Sequence, residues 1–116
     1  MTATLKTASS KAPHRASALT TASGIEIWHV EDYTVPVVSV EFAFLGGSAQ
    51  DPEGKSGLAN LAASLLDEGA GTLPSHAFQE ALEEKAIELS FDAGRDRLDG
   101  SMRTLSDHVV EAFGFL

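Results

Sequence analysis

The sequence contains no cysteine, which excludes disulfides, thiolate metal sites and cysteine nucleophiles in one step. The absence does not fix a compartment, because a periplasmic protein can also lack cysteine. No stretch approaches the roughly 18 consecutive apolar residues that mark a membrane-spanning helix, so no membrane partner is expected. Residues 1–22 lack the apolar run of a secretory signal. They also lack acid: residues 1–24 carry Lys6, Lys11 and Arg15 and no Asp or Glu. Rich in Ser, Thr and Ala, this basic stretch has a transit-like composition. It reads equally well as a disordered leader over residues 1–22. The bacterial periplasm or cytoplasm is expected ahead of a mitochondrial location. No internal repeat is present.

All 17 acidic residues lie from Glu26 onward, against five bases there, Lys55, Lys85, Arg95, Arg97 and Arg103, which leaves the body near −12. Such a surface repels nucleic acid and anionic membrane and attracts basic peptides. It also serves simple solubility. With 116 residues and 43% hydrophobic content, the chain suffices for one small domain with a modest core, expected over residues 23–116. It ends at Phe115-Leu116 without a helix-stop signal, so a partial domain is expected.

Residues 24–30 (GIEIWHV) alternate apolar and polar, as a strand does. Residues 37–45 (VVSVEFAFL) are β-branched and aromatic, with Val38, Val40, Phe42 and Phe44 on one face and Ser39, Glu41 and Ala43 on the other. The short polar link between the runs, residues 31–36, suggests that they pair antiparallel. Gly46-Gly47 stops the second strand, and residues 48–56 form a loop with Ser56 as helix cap. Leu58, Leu61, Ala62, Leu65 and Leu66 follow at i, i+3, i+4, i+7 and i+8, a helical stripe read as the core face. Asn60, Ala63, Ser64 and Asp67 fall opposite, and Gly69-Ala70-Gly71 ends the helix. A second helix is expected over residues 75–86, capped by Ser75, with Phe78, Ala81 and Leu82 buried and Glu80, Glu83 and Glu84 solvated. Strands over 87–93 and 98–105 flank a turn at Gly94-Arg95-Asp96, and a third helix over residues 107–116 starts after Ser106, its expected cap. The order β-β-α-α-β-β-α points to an α+β fold, an antiparallel sheet with helices packed on one face.

Two constellations meet in the loop and first helix. Ala49-x-x-x-x-Gly54-Lys55-Ser56 fits a relaxed phosphate-binding loop between a strand and a helix. Asp51 and Glu53 would set two carboxylates beside the phosphate, and Pro52 removes a donor. A nucleotide-binding reading is therefore weak. Of the histidines, His14, His29, His76 and His108, no two stand at i, i+4, so none forms the helical zinc pair. Asp67 and Glu68 read as solvated. Asp96 and Asp99 with Arg95 and Arg97 read as turn and cross-strand pairs.

The second constellation is a resemblance. Phe44-Leu45-Gly46-Gly47-Ser48, then Gly57-Leu58-Ala59, then Leu65-Leu66-Asp67-Glu68-Gly69 resemble the M16 metallopeptidases, the pitrilysin, insulysin and mitochondrial processing peptidase family. Gly24-Ile25-Glu26-Ile27-Trp28 resembles that family's first hairpin, and residues 86–103 resemble its later strands. The resemblance runs from about Ala18 to the end. It implies the LuxS/MPP-like metallohydrolase fold, in its N-terminal part only. Active members carry His-x-x-Glu-His on the first helix, where two His hold zinc and the Glu activates water. Aligned on Gly57-Leu58-Ala59, the ligand positions here are Asn60 and Ser64, and the general-base position is Ala63. The family's third ligand, a downstream Glu, would fall beyond Leu116. The resemblance thus implies a non-catalytic subunit without its own zinc, paired with an active M16 subunit that holds the metal and helping to enclose or bind peptide substrate. The alternative is an active zinc endopeptidase whose site is completed elsewhere.

Overall fold

The computed structural model describes residues 15–116 and, for backbone pairing alone, Thr4–Leu5. The chain divides into two units, Met1–Val35 and Pro36–Leu116. In the first, β1 (Thr4–Leu5), β2 (Ser17–Thr20) and β3 (Glu26–His29) form an antiparallel sheet in that order. Ala18 pairs with Trp28 and Leu19 with Ile27. The connecting turn is closed by Thr21, whose N–H donates to Ile25 O at 2.9 Å and whose Oγ1 accepts from Ile25 N at 3.0 Å. This corrects two expectations. Residues 17–20 are strand rather than leader, although most of the leader reading (with Lys6, Lys11 and His14) lies outside the described residues. The strand at residues 24–30 pairs with β2, not with residues 37–45.

The second unit is the α+β body. β4 (Val37–Leu45), β5 (Glu88–Ala93) and β6 (Arg97–Leu105) form an antiparallel sheet in the order β4-β6-β5. β4 pairs with β6 along its whole length, from Val37 opposite Leu105 to Leu45 opposite Arg97. The register sorts the side chains by face. Val40, Met102 and Leu89 share one row, while Ser39, Arg103 and Glu88 share a row on the opposite face. Gly100 sits between Phe42 and Phe91. A Cβ at Gly100 would collide with the Phe42 ring, which packs edge-on to Phe91 with centroids 6.3 Å apart.

Three helices complete the unit: α1 (Leu58–Leu65), α2 (Ser75–Glu84) and α3 (Val109–Phe115), the last preceded by a 3-10 turn at Ser106–His108. Phe78 and Leu82 of α2 are buried with Ile87, Met102 and Ala112, and Val40, Leu89 and Phe115 pack around them. Of the expected core of α2, Phe78 and Leu82 are buried and Ala81 is half-buried, and Glu80, Glu83 and Glu84 are exposed. The expected caps are not. Pro74 precedes the first turn of α2 and Ser75 lies within it, while Leu105 rather than Ser106 precedes the 3-10 turn, and neither end has a side-chain cap.

The end of α2 is set by Ala86, which holds φ 50°. Ile87 N donates to Leu82 O at 2.9 Å and Ala86 N to Glu83 O at 3.1 Å, and Ile87 packs in the same cluster as Leu82. These are the bonds and the apolar contact of a Schellman motif, with Ala in the left-handed position that normally takes Gly. Such a backbone costs an L-residue about 1 kcal/mol. Ala86→Gly should therefore stabilise the protein by up to about that amount, read as a higher urea midpoint at unchanged slope. A lower midpoint would contradict the assignment.

At the other end of the sheet, β4 runs into a loop docked on the β5–β6 turn. Gly46 N donates to Asp96 O at 3.0 Å, Ser48 N to Gly94 O at 3.0 Å and Ala49 N to Arg95 O at 2.8 Å. The backbones approach so closely that a Cβ on Gly47 would lie 2.5 Å from Gly94 O, and Gly47 has φ 125°. Both space and conformation exclude a side chain. Gly47→Ala should destabilise the protein by at least about 2 kcal/mol, measured by chemical denaturation. A loss under a few tenths would show that this contact is not needed.

Candidate functional site

The loop docked by Gly47 continues into a short 3-10 turn, Ser48–Gln50, which delivers Asp51 to the start of α1. The Asp51 carboxylate accepts from Gly57 N at 2.7 Å (Oδ2) and from Ala59 N at 2.9 Å (Oδ1). It thereby satisfies two of the N–H groups that a helix start leaves unpaired, and its charge complements the helix dipole. Asp51, six residues before Gly57, is thus the capping residue of α1, and the expected cap Ser56 is not.

This geometry bears directly on the phosphate-loop reading of Ala49 to Ser56. A phosphate site requires free backbone N–H groups converging at a helix N-terminus. Here the N–H groups of Ser48 and Ala49 bond the β5–β6 turn, that of Lys55 bonds Pro52 O at 2.9 Å, and that of Leu58 bonds Lys55 O at 3.2 Å. Those of Gly57 and Ala59 hold the Asp51 carboxylate. A carboxylate already stands where the phosphate would bind.

The three positions read as a blank zinc motif lie on α1 with unlike surroundings. Ala63 is the buried residue of the helix, at 3% exposure. Asn60 and Ser64 are exposed, and Ser64 Oγ donates to Leu61 O of its own helix at 2.9 Å. α1 packs against β5 with its small residues inward: Ala63 is buried and Ala59 half-buried. Leu58, Leu61, Leu65 and Leu66 are 44–57% exposed. This corrects the expectation that the leucine stripe is the core face.

Among the described residues, no group of three or more His, Asp or Glu side chains stands close enough to hold a metal ion. His29 is exposed. His76 is exposed and lies 3.7 Å from Glu80. The half-buried His108 bonds Lys85 O through Nδ1 at 2.7 Å, linking the end of α2 to the start of α3. Of the two acids after α1, Glu68 is exposed but hydrogen-bonded through its carboxylate, and Asp67 is bonded through its main-chain carbonyl. Glu68 Oε2 accepts from Ser75 Oγ at 2.7 Å and Asp67 O accepts from Gln79 Nε2 at 2.5 Å, so both tie the end of α1 to α2. Arg97 bonds Asp99 two residues along its own strand at 3.0 Å. The cross-strand ion pair is instead Arg103 with Glu88, at 3.6 Å. The polar face of the sheet carries an open depression of about 270 Å³ where Glu41, Ser90, Asp92, Asp99 and Ser101 converge. No helix of the described residues is long and apolar enough to cross a membrane.

Comparison with known proteins gives two informative matches, while no family model matches the chain. The sequence is 31% identical over 88 residues to a Helicobacter pylori (strain ATCC 700392 / 26695) protein described as "Non-peptidase homolog YmxG", covering 76% of this chain and 20% of that protein. The fold matches the crystal structure of a peptidase M16 inactive domain from Pseudomonas fluorescens with a TM-score of 0.78 and 26% identity, over 87% of this chain and 25% of that one. The chain therefore spans about a fifth to a quarter of the length of these relatives. It is M16-like in sequence and fold, and both relatives are described as inactive or non-peptidase proteins.

Asp51→Ala should cost about 1–2 kcal/mol, because it removes both the cap and its charge. Asp51→Asn should cost less, since an amide oxygen still accepts. Urea denaturation of both variants tests the ranking, and equal midpoints for wild type and Asp51→Ala would remove the capping role.

Proposed function

We propose that this chain is part of a non-catalytic M16-like subunit that pairs with an active zinc peptidase and helps enclose or bind the peptide substrate. The observation that carries this reading is the residue set of α1. Leu58–Leu65 (LANLAASL) contains no His, Asp or Glu. Zinc hydrolysis on this helix needs two imidazoles at i and i+4 and a carboxylate between them. Asn60 and Ser64 stand at the ligand positions and Ala63 at the general-base position. A carboxylate at position 63 would replace a methyl group that is 3% exposed. The names of the two relatives support the same direction.

The sheet offers a way to hold peptide. β4 is nine residues long, has no proline, and among the described residues pairs only with β6. An edge of this kind takes an extended peptide by strand addition. Glu41, Asp92 and Asp99 on the polar face favour a peptide with basic side chains.

Two measurements test the proposal. Metal analysis of the purified protein after dialysis against micromolar zinc should find no stoichiometric zinc. One tightly held ion per chain would overturn the lost-site reading and favour a site completed elsewhere. Co-expression with an M16 chain that carries an intact His-x-x-Glu-His should give a complex whose peptidase activity exceeds that of the active chain alone, while this chain alone cleaves nothing. Failure to form any complex would overturn the subunit reading, whatever the zinc result.

A further inference from the structure

We draw no further inference here: the strongest candidate, the uncharged apolar face that Leu58, Leu61, Leu65 and Leu66 present on α1, carries nothing because nothing in the structure shows what covers it.

Discussion

The backbone of residues 46–49 lies against the carbonyls of the β5–β6 turn with no room for a side chain at Gly47, and the placement of α1 follows from that contact. The bonds from Gly46, Ser48 and Ala49 fix where the chain leaves β4. The 3-10 turn at Ser48–Gln50 then sets the position of Asp51, and Asp51 holds the first turn of α1 by two N–H groups. Ala63, two turns into the helix from Gly57, is buried as a result. A local steric condition at one glycine thus passes through a capping carboxylate to the placement of α1.

Much of this body was legible in the sequence. The alternation in residues 37–45 gives the correct faces of β4, the spacing of Phe78 and Leu82 gives the core of α2, and Gly94-Arg95-Asp96 marks the β5–β6 turn. What was not legible depends on partners distant in sequence. The link over residues 31–36 suggests a hairpin with β4, but the partner of β3 is Ser17–Thr20. That strand lies in a Ser-, Thr- and Ala-rich stretch whose composition resembles a leader. The end of α2 at Glu84 carries no usual stop signal, because the left-handed residue is Ala86 rather than a glycine. The capping role of Asp51 has no local sequence signature, because it stands six residues before Gly57 rather than next to the helix.

The inversion of α1 has a general physical cause. Periodicity shows that a helix has an apolar stripe; it does not show which neighbour meets which side. Packing against β5 at short range selects the side with the smallest residues, because small side chains permit close backbone approach. Ala59 and Ala63 offer that side and the leucines do not. An apolar moment therefore identified the helix correctly and its buried face incorrectly.

The same geometry separates the functional classes more sharply than the motifs do. A strand, a loop with Gly54-Lys55-Ser56 and a helix satisfy the outline of a phosphate loop, yet the outline says nothing about where the backbone N–H groups point. Once those of residues 48, 49, 55, 57, 58 and 59 are assigned, an incoming phosphate would have to displace a carboxylate that already makes two charge-assisted bonds. For peptidase chemistry the comparison runs the other way. The backbone resembles that of a peptidase M16 inactive domain, and α1 contains no His, Asp or Glu. Scaffold and chemistry are separable, so likeness of backbone alone assigns no reaction to this chain.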